Sequence, residues 1–329
     1  MEVRLVICSL FLLVDTTAPL NILIYNIKFG HSHSNFMGRV ADVLVDTGHN
    51  VTSLIPDLDP SIRDGTTKSN IVRVPQDPGA GATCDWIFRH DWFDPFTFEH
   101  SLIVQLLFRH VFGDMMARQC SVILNDEDLL ARLKDAHYSV LITETIDFCG
   151  VGLSHLIGAK SLITVSSTPI LEHVARDLGI PQAVSYVPSW GVVRVDPHSL
   201  WSRLRNAYDI YLGECAMRKT KTILGRLFSN RYGKEFPPMS ELVSGSSYHL
   251  VNTEPLDIER PTLQKVISIG GLGVRVPKAL DATWDEVLNR RERAVLVSFG
   301  SIAESYRMGR RSKMALLNVS ILCIMQFFE

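Results

Sequence analysis

Asn21-Ile-Leu-Ile-Tyr-Asn-Ile-Lys-Phe-Gly-His-Ser-His-Ser-Asn-Phe-Met37 is the stretch that decides the fold. Its first half, Asn21 to Ile27, is apolar on both faces, as a strand inside a parallel sheet must be. Gly30 turns the chain, and Ser32 or Ser34 is placed to cap a helix that follows. Phe36, Met37, Val40, Ala41 and Leu44 then recur at helical spacing, and Gly48 sits where that helix should stop. Val51-Thr-Ser-Leu-Ile55 reads as a second strand, closed by Pro56. Strand, helix and strand within about 35 residues make one βαβ unit. His31 and His33 therefore lie at the carboxyl end of a strand, where open α/β sheets bind their ligands.

Outward from this unit the alternation continues. A polar loop from Asp57 to Lys68 leads to a third strand at Ile71–Val74. The glycine-rich run Asp77–Thr83 is expected to break the pattern. Trp86, Phe88, Trp92, Phe93, Phe96 and Phe98 follow, as core packing beneath a loop or as an apolar wall for a greasy ligand. A long helix is predicted over Glu99–Ala117. Another starts at Asn125-Asp-Glu-Asp128 and buries Leu129, Leu130 and Leu133. Ser139–Thr143 is a strand with Glu144 at its end. Val151–Ile157 is helical, and Ser161–Val165 is a strand ending in Ser166-Ser-Thr-Pro169. Val184–Pro197 is irregular, and Ser199–Phe228 is strongly helical. Leu250–Asn252 and Ile267–Gly271 are strands, Pro277–Thr283 is a linker, and Trp284–Arg290 is a short helix. Ala294-Val-Leu-Val-Ser-Phe-Gly300 reads as a buried strand entering a Gly-Ser turn. The fold class is α/β, a Rossmann-like doubly wound parallel sheet.

The chain of 329 residues is long enough for more than one folded unit. It is 46% hydrophobic and 21% charged, with a formal net charge of -2, which gives no reason to expect nucleic acid as a partner. No His and Cys cluster has zinc spacing, so no metal is expected. No glycine fingerprint for a dinucleotide, no Walker loop and no nucleophile elbow is present. Leu5–Val14, after Arg4 and before Asp15-Thr-Thr-Ala18, has the length of an export signal and is too short to span a bilayer. Residues 1–18 are therefore read as a signal peptide that sends the chain into the secretory pathway. Asn50-Val-Thr52 and Asn318-Val-Ser320 are glycosylation sequons there. The cysteines are too widely spaced for a disulfide framework and read as buried small residues, with room for one bridge.

Three places could carry chemistry. An imidazole at position 33 or 31 titrates near neutral pH and can take a proton from a hydroxyl group. A carboxylate at the end of a neighbouring strand, Glu144 or its competitor Asp147, can reach that ring, hold its tautomer and stabilise its protonated form. Ser298-Phe-Gly-Ser301 offers backbone amides to a phosphate at a strand-to-helix turn.

These places coincide with one family's pattern. The chain resembles the UDP-glycosyltransferases of animals, the UDP-glucuronosyltransferase group, and its nematode members most. Gly30-His-Ser-His-Ser-Asn-Phe-Met37 resembles the family's Gly-Ser-His loop, and Ser32-His33 fits that register, which favours His33 over His31 as the catalytic base. Leu141-Ile-Thr-Glu144 resembles the strand that carries the acidic partner, often aspartate in the family. Ser185-Tyr-Val-Pro188, Asn252-Thr-Glu-Pro255, Arg260-Pro261, Ile269-Gly-Gly271 and Val295-Leu-Val-Ser-Phe-Gly-Ser301 continue the match.

The resemblance implies two facing Rossmann-like domains, the GT-B arrangement, and an inverting transfer from a UDP-sugar to a hydroxyl of a small lipophilic acceptor. It implies His33 as base oriented by Glu144, Ser298, Gly300 and Ser301 at the donor phosphates, and no metal or other cofactor. Phe29, Trp86, Trp92, Phe93 and Phe96 would line the acceptor site. The implied location is the lumen or membrane of the endoplasmic reticulum. The expected division is an acceptor domain over 19–276, a linker over 277–293, and over 294–329 the start of a donor domain with an apolar tail. Beyond Arg307 the family's donor signature and membrane anchor do not follow. The alternative expectation is thus a non-catalytic acceptor-domain protein that binds lipophiles or pairs, as a homo- or hetero-oligomer, with full-length relatives.

Overall fold

The computed structural model describes residues 18–89, 102–189, 195–254, 259–272, 274, 277–290, 292–299 and 305–323. Residues 1–17 of the proposed signal peptide lie outside these residues, as do Trp92, Phe93, Phe96, Gly300 and Ser301.

Seven parallel strands form one sheet in the order β3-β2-β1-β4-β5-β6-β7. They are β1 (Asn21–Tyr25), β2 (Asn50–Pro56), β3 (Asn70–Val74), β4 (Val140–Glu144), β5 (Ser161–Ser166), β6 (Tyr248–Val251) and β7 (Val266–Ser268). Strand order reverses between β1 and β4, so connections leave toward opposite faces there. The loops at their carboxyl ends diverge and leave a crevice. β1 pairs with both, Leu23 opposite Thr52 on one side and Leu141 on the other.

Alternate residues of β1 serve two cores. Ile22 and Ile24 pack with Phe36, Met37 and Val40 of helix α1 (His31–Asp46). Leu23 and Tyr25 face the larger core, which takes in α3 (Leu102–Asn125), α4 (Glu127–Asp135), α5 (Cys149–Leu156) and α7 (Leu200–Tyr232). Each β1 side chain from Ile22 to Tyr25 is buried, which is why the strand carries no polar alternation.

The glycine-rich run does not break the pattern: α2 covers Pro78–Arg89. The Asp77 carboxylate accepts from Ala80 N at 2.7 Å, a cap that outweighs the low helix propensity of Gly79 and Gly81. Neither Ser32 nor Ser34 caps α1. Gly30 occupies the N-cap, and among the described residues the buried Ser34 hydroxyl has no partner. Asp126 caps α4, whose Leu129, Leu130 and Leu133 are buried as expected. Cys120 of α3 and Cys149 of α5 form a disulfide with a Cα–Cα distance of 5.7 Å, joining two helices of the larger core.

Among the described residues the remaining α-helices are α6 (Glu172–Leu178), α8 (Met239–Ser244), α9 (Ala282–Asn289) and α10 (Arg310–Cys323). Over residues 294–299 the expected strand is not formed. Residues 292–299 have no regular structure, and Val295, Leu296 and Phe299 are exposed. Among the described residues no second sheet stands beside this segment, and an apolar sequence becomes a strand only when a neighbouring strand satisfies its backbone.

Candidate active site

The first turn of α1 is held from two sides. Below it, Asn26 Nδ2 donates to Ser34 O at 3.3 Å and to Asp64 O at 3.1 Å, tying the end of β1 to the helix and to the loop after β2. Beside it, that loop lies against α1 at two glycines. A Cβ on Gly38 would stand 2.1 Å from the Gly65 carbonyl carbon, so only hydrogen atoms fit between the two backbones. Gly65 itself has φ +80°, where other residues are strained. Asp42 anchors the same loop by accepting from the Thr66 hydroxyl, Thr67 N and Lys68 N.

This framework directs His33 into the crevice between β1 and β4. Its Nδ1 lies 2.8 Å from Glu144 Oε1, at the last position of β4. It lies 2.7 Å from Ser167 Oγ, just beyond β5. Ser167 also donates to Glu144 Oε1 through its hydroxyl, and through its amide at 3.2 Å. The two side chains of the pair are 15% and 9% exposed, so water competes little for these bonds.

An ionised carboxylate only accepts, so the proton of the pair sits on Nδ1 of His33 and the Nε2 lone pair is left to react. Among the described residues no protein group bonds Nε2. The Phe29 ring leans on the imidazole, with ring centres 4.5 Å apart at 42°, and itself meets Phe112 edge-on at 6.5 Å. His31 is exposed at the first position of α1 and takes no part.

Asp147 faces the other way. Its Oδ2 accepts from Tyr25 OH at 2.6 Å and its Oδ1 from Cys149 N at 2.9 Å. Burial raises its carboxyl to about 6, assisted by the nearby Glu144 charge and opposed by those two hydrogen bonds. Burial, with the Asp147 charge, raises the Tyr25 phenol well above its usual value. Of the two carboxylates, Glu144 is the one in contact with His33.

Ser167 was not singled out from the sequence. The one available signal was its place just past the end of β5, next to β4 in the sheet. Trp86 is half-buried and packs against the larger core. Ser298 lies exposed on the irregular segment outside the sheet. Asn50 and Asn318 are both exposed, and Asn50 Nδ2 donates to Asn21 Oδ1 at 2.7 Å. Among the described residues no group of His, Cys, Asp and Glu could hold a metal ion, and no helix is long and apolar enough to cross a membrane.

A family model described as "UDP-glucoronosyl and UDP-glucosyl transferase" matches residues 21–316. The chain belongs to this UDP-glycosyltransferase family. Its similarity to a putative UDP-glucuronosyltransferase of Caenorhabditis elegans, ugt-48, is 26% identity over 299 residues, 88% of this chain and 56% of that protein. Human UDP-glucuronosyltransferase 3A1 is 26% identical over 298 residues, 84% and 53% of the two chains. This UDP-glycosyltransferase family chain therefore spans a little over half the length of the curated relatives it matches. Among solved structures, Phytolacca americana UGT2 complexed with UDP-2fluoro-glucose and pterostilbene is 15% identical with a TM-score of 0.45, covering 87% of this chain and 61% of that one.

Proposed function

We propose that the protein transfers a sugar from a UDP-sugar to a hydroxyl group of a small lipophilic acceptor, with inversion, and that His33 is the base. The observation that carries this reading is the contact of His33 Nδ1 with Glu144 and Ser167 at the crevice where strand order reverses. The acceptor oxygen attacks the anomeric carbon while its proton passes to Nε2. The bond from that carbon to the diphosphate breaks, and UDP leaves with the electron pair. Glu144 keeps Nδ1 protonated and stabilises the imidazolium that forms. Ser167 presses on both and limits rotation of the ring. Phe29 gives an acceptor ring an apolar edge beside the base. Ser298, Gly300 and Ser301 are assigned to the donor phosphates by resemblance, and the reaction as written uses no metal.

Sugar transfer from UDP-glucuronate and UDP-glucose to a phenol, followed by UDP release, tests the reading. His33→Ala should lower kcat/KM by about 10²- to 10⁴-fold, the usual share of a general base. Glu144→Gln should approach the same loss, and Ser167→Ala should cost about tenfold through one charge-assisted hydrogen bond. A His33→Ala protein with wild-type turnover overturns the assignment.

A second reading is favoured by the exposed, irregular state of residues 292–299, which leaves Ser298 outside the described sheet. In it the chain binds lipophilic acceptors without transfer, alone or paired with a longer relative. Phenol binding with no turnover by the wild type selects this reading. Location in the secretory pathway is part of the proposal, supported by the Cys120–Cys149 disulfide and by the two exposed sequons as glycosylation sites.

A further inference from the structure

A groove of about 380 Å³ runs between α6, α7 and the turn leading to α8, a volume that fits a small molecule. Its walls are heavily charged. Lys221 bonds Asp177, and Arg176 bonds Glu214 through Oε2, so these four side chains balance one another. His173, on the floor, is neutral: burial, with the Lys221 charge, pushes its imidazole down to about 3. Arg218, Arg226 and Lys234 line the same groove, and among the described residues none has a carboxylate within ion-pair distance. The groove therefore carries an excess of three positive charges.

Two further observations point to an occupant. Glu214 is 4% exposed, yet among the described residues its Oε1 has no hydrogen-bond partner, and a buried carboxylate oxygen left unsatisfied is costly. Gly225 lies inside the long helix α7, where glycine weakens the helix. A Cβ there would meet nothing within 4 Å, so no close approach requires the glycine, and its missing side chain keeps the groove open.

We propose that this groove binds a small polyhydroxylated anion of sugar-phosphate size, its charge held by Arg218, Arg226 and Lys234 and one hydroxyl donating to Glu214 Oε1. None of His33, Glu144 or Ser167 lines it. The floor is nevertheless joined to the catalytic strand, since His173 Nε2 donates at 3.2 Å to the carbonyl of Thr145, the residue after Glu144. The site is a second ligand site, independent of the transfer reading.

Isothermal titration of the full chain with glucose 6-phosphate, inorganic phosphate and glucose tests it. Glucose 6-phosphate should bind, phosphate should bind about tenfold more weakly for want of the hydroxyl, and glucose should not bind. Gly225→Gln, which improves helix propensity and fills the groove, should keep or raise the Tm and abolish binding. Arg226→Gln with Lys234→Gln should weaken it at least about tenfold. His33→Ala should leave it unchanged. The proposal is overturned if glucose 6-phosphate gives no heat or phosphate binds as tightly. It is equally overturned if Gly225→Gln binds like the wild type or His33→Ala removes the binding.

Discussion

Asp147→Asn should abolish a pH dependence of stability that the fold builds in beside Glu144. The Asp147 carboxyl is 1% exposed, and its value rises from 3.8 to about 6, with burial the largest cause. A raised carboxyl holds its proton in the folded state at a pH where the unfolded chain has lost it. Stability from this group therefore falls as pH rises through the window between 3.8 and about 6, and the full cost remains above it. Two pH units correspond to about 3 kcal/mol. Asparagine keeps the shape, accepts from Cys149 N and donates to the Tyr25 oxygen, but does not titrate. Urea unfolding of both proteins from about pH 4 to 8 isolates the group, because all other titrating residues cancel in the difference. The variant should gain about 3 kcal/mol on the wild type across that range. A difference that stays flat with pH would falsify the buried, proton-retaining Asp147.

Two further outcomes follow from the framework around the site. The disulfide closes a loop of 29 residues, so Cys120→Ser with Cys149→Ser should cost about 3–4 kcal/mol in chemical unfolding; a loss near zero would mean the bridge constrains nothing. Gly38→Ala forces a Cβ to within 2.1 Å of the Gly65 backbone and should destabilise by about 1–3 kcal/mol, with faster amide exchange in the loop after β2. Unchanged exchange there would show that this loop does not brace α1.

Much of the site was legible because its parts sit at strand ends. The strands β1, β4 and β5 are short runs buried on both faces, and such runs announce themselves by composition. Once they are placed, the residues just past them are the candidates, His33 or His31 and Glu144 or Asp147, and the family resemblance favoured His33 and Glu144. Ser167 was hidden, since a serine after a strand looks like any turn residue until β5 lies beside β4. The helix at Pro78–Arg89 was misread because glycine lowers propensity by an amount that one Asp77 cap and tertiary packing recover. The apolar run at 294–299 shows the reverse error: its composition suits a strand, but composition supplies no partner.

By itself the sequence determined the parallel α/β class, the helices that start near Asn125 and Ser199, and a histidine in the first crevice. These depend on interactions within a few residues or on uninterrupted burial, which one-dimensional spacing records. Tertiary structure decided the contacts. It set His33 against Glu144, turned Asp147 toward Tyr25, added Ser167 and paired Cys120 with Cys149. Each of those outcomes joins residues 29 to 134 positions apart, and their meeting depends on the order of the strands in the sheet.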